Sequence, residues 1–509
     1  MTTTRPTSAR TLSPRRRWAA LGVLVGAVLL LAIDGTVLYL AVPSLTRELA
    51  PTATEILWIG DVYSLALAGL LVTAGNLADR FGRKRVLLLG TAAFGLASVL
   101  AAFSPTAGVL ILARLLLGVA GATIMPSTLS LIRTLFADPR ERTRAVAIWS
   151  AGSGGGIALG PLVGGMLLEH YWWGSVFLIN VPVVVLFLLA GAWLLPESRD
   201  PNPGRFDLLS AGLSLAAIVP LVYAVKHAVS TGLDAQVAVA AGIGLVSGVL
   251  FLRRQRRAAA PLIDVTLFRN GAFSGAVLAN FIAVFALMGL LFFFSQYLQL
   301  VRGFSPLQAG FAEMPATLAS IAVVAAVGGV VARLGRGRAV AAGLAVAAAG
   351  LALVALAEPA PQYLWLGLTL VPVGLGVGLA LTLTVDSVLS AVPRDKAGSA
   401  SAISETAYEL GAALGIAILG SVVTIAYRGF LPAGPLPAEA RDSLAGAVLA
   451  GDPGIVQAAQ NAFTGAMQVT ALAAAAVTAL AAVIAWRTIP SGKDFPMGIV
   501  KSRSHRDRG

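Results

Sequence analysis

Cysteine is absent from all 509 residues, which excludes disulfides, thiolate metal sites and cysteine nucleophiles. Histidine is nearly absent: His170, His227 and His505 are the only three, too scattered to share a metal ion. Charge is sparse as well, with 12% Asp, Glu, Lys and Arg against 57% hydrophobic residues and a mean hydropathy of +0.84. An ordinary soluble chain of this size needs far more polar surface. The Gly-x-x-x-x-Gly-Lys-Ser/Thr phosphate loop is missing, and no polar stretch is long enough for a nucleotide-hydrolysing domain, so the chain is read as neither an enzyme nor an ATP-driven machine.

What the chain does have is apolar length. About 20 residues of helix cross the ~30 Å hydrocarbon layer, and fourteen stretches qualify: Trp18–Val42, Glu55–Ala78, Val86–Phe103, Gly108–Ile132, Ala145–Leu168, Trp173–Leu195, Leu208–Val225, Ala235–Leu252, Ala272–Leu300, Pro306–Ala332, Ala339–Ala357, Leu364–Val392, Ala400–Tyr427 and Ala459–Trp486. Lys and Arg test the count, because they gather in short cytoplasmic loops. Alternate loops hold almost all of them; the external loops are left with Arg47, Lys226, Arg302, Arg428 and Arg441, and Arg114 lies inside a span. Both termini are therefore expected in the cytoplasm of a bacterial cell, with the chain multi-pass in the plasma membrane. The net charge of +13 then belongs to collars flanking the membrane, with no aromatic interleaving that would suggest nucleic acid. The first apolar run is too long for a signal-peptide core and lacks a cleavage pattern, so it is expected to remain as the first helix.

Self-similarity organises the spans. Gly75, Asp79, Arg80, Gly82, Arg83 and Arg85 align without gaps to Gly328, Ala332, Arg333, Gly335, Arg336 and Arg338, and Gly156 and Gly160 echo in Gly411 and Gly415. The expected fold is all-α: a basic tail at 1–17, a six-helix bundle at 18–195, a two-helix insert at 207–257, a second six-helix bundle at 270–486 and a tail at 487–509. The longest external connection, 428–458, carries Pro432, Pro435 and Pro437 before a mildly amphipathic stretch and is expected to fold as a hairpin over the outer face. Repeats of this kind, with a substrate cavity between halves near the midplane, suit alternating access.

Acids inside apolar spans are the candidate working groups, since a carboxylate there is costly unless it is used. Asp34 and Asp61 lie in the first two spans, Glu313 in the tenth, Asp386 in the twelfth, and Glu405 and Glu409 four residues apart on one face of the thirteenth. Arg114 needs an anion at its depth, and Asp34 is the obvious one. Burial raises a carboxyl pKa and a nearby cation lowers it, so such acids can exchange a proton for a cationic cargo. Quaternary cations lack hydrogen-bond donors and are held by charge and aromatic faces. Trp58, Tyr63, Trp149, Phe292, Phe293, Tyr297 and Tyr408 are the aromatic candidates. After the second span, Gly75, Asp79, Arg80, Gly82, Arg83 and Lys84 form a charged turn able to act as a conformational latch.

These motifs resemble the major facilitator superfamily. Gly75-x-x-x-Asp79-Arg80-x-Gly82-Arg83-Lys84-Arg85 is that family's loop motif; Leu112-Ala-Arg114-Leu-Leu-Leu-Gly118-Val-Ala-Gly121 matches its helix-four motif; and Gly156-x-x-x-Gly160-Pro161-x-x-Gly164-Gly165 resembles the helix-five motif of its antiporter branch. Over essentially the whole chain the pattern is similar to the fourteen-helix drug:proton antiporters. The nearest likeness is to quaternary-ammonium pumps of the QacA type, through Leu31-Ala-Ile-Asp34-Gly-Thr-Val-Leu, Leu57-Trp-Ile-Gly-Asp61-Val-Tyr and Pro261-Leu-Ile-Asp-Val-Thr-Leu-Phe268. The resemblance implies a proton-coupled exporter of quaternary ammonium biocides, cationic dyes and biguanides, in which Arg114 influences protonation of a cavity acid. It implies no cofactor beyond the proton gradient. Expected partners are hydrophobic or cationic drugs, protons and lipids, and the chain is expected to be a monomer. Readings that stay open are a self-resistance exporter of a neutral or anionic antibiotic and, against the helix-five pattern, a nutrient uptake symporter.

Overall fold

The structure is a computed structural model that describes residues 13–199, 207–258, 261–393 and 396–491. Among the described residues it is helical with no strand. Its fourteen spans, called helix 1 to helix 14 below, are Pro14–Leu49, Ala53–Phe81, Arg83–Ala102, Ala107–Leu135, Arg140–His170, Ser175–Leu194, Leu208–Val229, Ala235–Arg257, Gly271–Val301, Pro306–Leu334, Arg336–Ala357, Tyr363–Ser390, Ser399–Phe430 and Pro453–Thr488. The expected tails lie outside the described residues except near the spans, where Ser13 and Pro14 start helix 1 four residues before Trp18.

The spans outrun the apolar stretches because polar caps sit beyond them. Thr52 and Glu55 close a capping box on helix 2, Ser305 and Gln308 close one on helix 10, and Asp138, Asp234 and Asp452 cap helices 5, 8 and 14. Each side-chain oxygen satisfies an amide that the first turn leaves open. Helix 7 reaches Val229, so Lys226 is not in an external loop: it is a membrane residue, 1% exposed. Arg428 likewise belongs to helix 13 rather than to the connection after it. In that connection Ala438–Asp442 and Leu444–Ala450 are two short helices, broken at Ser443.

Helices 1 to 6 pack among themselves, as do helices 9 to 14, and helices 7 and 8 pair with each other. The repeated motif is a repeated turn: Gly82 and Gly335 cap helices 2 and 10 at φ of +111° and +78°, values a side chain rarely adopts. The second echo is a repeated close approach. A Cβ on Gly156 or Gly160 would strike Ala32 or Thr36 of helix 1, and one on Gly411 or Gly415 would strike the carbonyls of Phe281 or Phe285 in helix 9. Small residues thus seat helix 5 on helix 1 and helix 13 on helix 9 in the same way.

The two groups of six meet chiefly along helix 2 against helix 13 and helix 5 against helix 10. Helices 1, 5, 9 and 13 start at one face of the molecule, which also carries the helix 2–3 turn; this is called the basic face below. At the opposite face the groups are closed together. Gly165 abuts the backbone of Pro306 and Leu307, and Gly310 abuts Pro161. Gln299 donates to the Leu40 carbonyl at 3.0 Å, and Asp442 accepts from the Ala53 amide at 2.7 Å while pairing with Arg428 at 2.8 Å.

Candidate functional site

Between the two groups of helices lies a cavity of about 920 Å³. Its lining comes from the basic-face halves of helices 1, 2, 4, 5, 9, 12 and 13, its blind end is at Tyr39, Tyr63, Met288 and Ala412, and Arg133 and Arg142 stand at its mouth. A second groove, bordered by Asp79, Ser130, Pro261 and Ser399, widens the same opening. The molecule is therefore open at the basic face and shut at the other.

Glu405, Tyr408 and Glu409 project into this cavity from helix 13, facing Tyr39, Tyr63, Trp149 and Ser64. Helical spacing of four residues brings the two carboxylates to one wall. Trp149 is fixed by donating from Nε1 to the Thr128 hydroxyl at 3.1 Å, and Asn280 by donating to the Ser404 carbonyl at 3.0 Å. The arrangement pairs ionisable carboxyls with aromatic faces in a chamber large enough for a drug-sized molecule.

Asp34 is not on the cavity surface, although its neighbours Leu31 and Gly35 are. It is fully buried behind them. Its Oδ2 pairs with Arg114 at 3.1 Å, and its Oδ1 accepts from Asn180 at 2.8 Å. Arg114 also donates to the Ile59 carbonyl at 3.3 Å, and its guanidinium lies 4.6 Å from the Tyr63 ring. Asn180 in turn donates to Ser98 at 3.1 Å. Tyr63 thus forms a partition, with the cavity on one side and a desolvated ion pair on the other. Asn180 was missed from sequence; a single amide in the apolar run of helix 6 was the available signal.

Other candidate residues lie elsewhere. Asp61 and Trp58 face helix 7: Lys226 Nζ lies 2.8 Å from Asp61 Oδ1, 2.6 Å from Oδ2 and 3.7 Å from the centre of the Trp58 ring. Helix 2 turns these two side chains away from the face that carries Tyr63 and Ser64. Phe292 packs edge-on to Tyr39 at 5.5 Å and against Gly60, beneath the blind end. Phe293 packs edge-on to Phe292 at 5.0 Å and against Gly420 there. Tyr297 is nearer the closed face, donating to the Glu358 carbonyl and accepting from Arg302. Glu313 is buried in helix 10, with Oε1 lacking a hydrogen-bond partner, and does not line the cavity. Asp386 pairs with Arg336 at 3.1 Å.

The charged turn clasps its own bundle in this conformation. Asp79 pairs with Arg83 at 2.8 Å, and Arg83 also donates to Thr134. Lys84 donates to the Ala192 carbonyl at 2.7 Å, Glu197 lies against Gly82, and Arg80 is exposed. In the helix-five motif Gly156, Gly160 and Gly164 bear on helix 1, whereas Gly165 and Pro161 bear on helix 10. One helix therefore carries both the intra-bundle seam and the closed gate.

The profile of the Major Facilitator Superfamily matches residues 24–416. The multidrug efflux pump LfrA of Mycolicibacterium smegmatis is 45% identical over 490 residues, covering 94% of this chain and 97% of that one. The methyl viologen resistance protein SmvA of Salmonella typhimurium is 36% identical over 425 residues, 82% of this chain and 85% of its own. Among solved structures, a bacterial homolog of the human lysosomal transporter Spinster, inward-facing and unoccupied, superimposes with a TM-score of 0.67 at 18% identity, over 94% of this chain and 99% of that one. At that identity the likeness speaks for the fold alone.

Proposed function

The chain belongs to the major facilitator superfamily, and from that premise we propose that it is a proton-coupled multidrug exporter whose preferred substrates are lipophilic cations. The observation that carries this reading is the pair Glu405 and Glu409 on one wall of an aromatic-lined cavity of about 920 Å³. The relatives named for drug efflux and methyl viologen resistance support it, methyl viologen being a quaternised dication. The basic face is the cytoplasmic one, because Lys and Arg collect there, so the conformation described is the one that loads from inside the cell.

Cargo displaces protons from the cavity carboxylates, and protons arriving from outside displace cargo once the gate at Gly165 and Leu307 has opened. Asp34 carries the coupling proton. Protonated, it loses its charge attraction for Arg114, which then turns to carbonyls and to the Tyr63 face; the partition at Tyr63 transmits that change to the cavity. Exchange of one proton for one monovalent cation draws only on the pH difference, about 1.4 kcal/mol per unit. A second proton adds about 2.3 kcal/mol per 100 mV.

Membrane vesicles with the basic face outward test the reading. They should accumulate ethidium when their lumen is acidified and lose it when nigericin collapses the pH gradient. Accumulation that ignores the gradient, or that runs outward, would overturn it. The gate has its own test in this cysteine-free chain: Glu169→Cys with Leu307→Cys, positions where the Glu169 carboxylate lies 3.5 Å from the Leu307 amide, joined by a short cleavable thiol cross-linker, should stop accumulation, and cleavage should restore it. Transport through the intact cross-link would show that this contact does not open.

A further inference from the structure

Sequence and site together leave the two-helix insert without a task, and Lys226 was unforeseen. Helix 7 lies in the seam between helix 2 and helix 13, touching both, so it borders the two groups that must rock past one another if the proposed alternating access holds. Its two contacts differ in kind. Toward helix 2 it is bolted: Lys226 forms a two-pronged ion pair with Asp61, both side chains fully buried, under the half-buried Trp58 ring. Lower down, Ser214 donates to the Gly69 carbonyl at 3.2 Å, and a Cβ on Gly69 would lie 2.3 Å from Leu215. Toward helix 13 the seam is smooth, with Val222 meeting Ala413 and Ala417. The polar contact there is Arg428 donating to the Val229 carbonyl at 3.3 Å, at the end closed by the gate.

We propose that the insert moves as part of the N-terminal bundle, making an eight-helix rocking unit, and that Lys226 is the positioning residue that fixes it there by holding Asp61 in a permanent internal ion pair. Separating two charges inside the membrane leaves both uncompensated, so this contact persists while the apolar seam, held at its gate end by the hydrogen bond from Arg428 to a neutral carbonyl, slides. At its other edge Arg254 holds the Asp207 carboxyl down at about 2 through a hydrogen-bonded pair at 2.9 Å, so helix 8 follows helix 7. Asp61 is thereby kept from cargo and from the coupling proton: its carboxylate already has a tethered ammonium against an aromatic face, the same chemistry that a quaternary drug would supply.

Spin labels read this motion without requiring transport. Leu233→Cys in the insert is paired with Pro105→Cys, in the helix 3–4 connection, and separately with Gln362→Cys, in the helix 11–12 connection; all three positions are exposed on the gate side. On passing from pH 8 to pH 5 in nanodiscs with ethidium, the 233–105 distance should stay fixed while the 233–362 distance lengthens. A constant 233–362 distance with a changing 233–105 distance would place the insert with the other bundle and overturn the proposal. Changes in both would make it an independent body, which also overturns it. If neither distance moves, alternating access itself fails, and the proposal with it. Lys226→Met should broaden the 233–105 distribution; an unaltered distribution would remove Lys226 from this role. Should that variant not fold, Asp61→Asn with Lys226→Met removes both charges, and the same broadening is expected.

Discussion

Asp34→Asn is expected to reduce gradient-driven accumulation of every substrate at least about 100-fold, to the level of vesicles without the protein. The argument is electrostatic. Asp34 and Arg114 are both shielded from water, and removing one member of such a pair costs about 3–5 kcal/mol because the other charge is left uncompensated. Lower activity in the single variant could therefore reflect a damaged fold, so Asp34→Asn with Arg114→Gln is the decisive partner. The double variant should recover the thermal unfolding midpoint, since no lone charge remains, yet still fail to transport, since no carboxyl remains to take the proton. Recovery of both stability and transport would reduce the pair to a structural contact, and equal efflux by wild type and Asp34→Asn would remove Asp34 from the mechanism.

The second large effect separates charge recognition from coupling. Glu405→Gln and Glu409→Gln should each weaken binding of tetraphenylphosphonium about tenfold, and the double variant about 100-fold, at roughly 1.4 kcal/mol per decade. A charge pair 4 Å apart is worth about 4 kcal/mol at the dielectric of a hydrated protein surface; desolvating a carboxylate in a cavity this wide offsets most of that. Neutral drugs gain nothing from the carboxylates, so their export should stay within about threefold of wild type. Quenching of Trp149, which lines the cavity, provides the binding measurement. An equal loss for neutral and cationic compounds would mean that these acids serve the transport of every cargo and do not recognise its charge.

Much of the architecture was legible because a bilayer leaves few options: a span must be a long apolar helix, and its flanking charges mark its sides. The Gly82 turn and its echo at Gly335 were readable because a positive φ selects glycine. The Asp34–Arg114 pair was readable because a buried guanidinium requires an anion. Lys226 was misread because a lysine at the edge of an apolar run has the same composition whether it snorkels to the interface or turns inward. Asn180 was overlooked because one amide scarcely alters the hydropathy of its helix.

Sequence by itself determined the fourteen spans, the repeat, the helix faces on which Glu405 and Glu409 coincide, and the membership of the family. Tertiary structure decided which acids meet water and which meet a counter-ion: Glu405 and Glu409 open into the cavity, Asp34 stands one side chain behind it, and Asp61 answers to Lys226 from a helix 165 residues away in the chain. Helical periodicity fixes which residues share a face, but the rotation of that face toward cavity, neighbour or lipid depends on how all the helices pack at once.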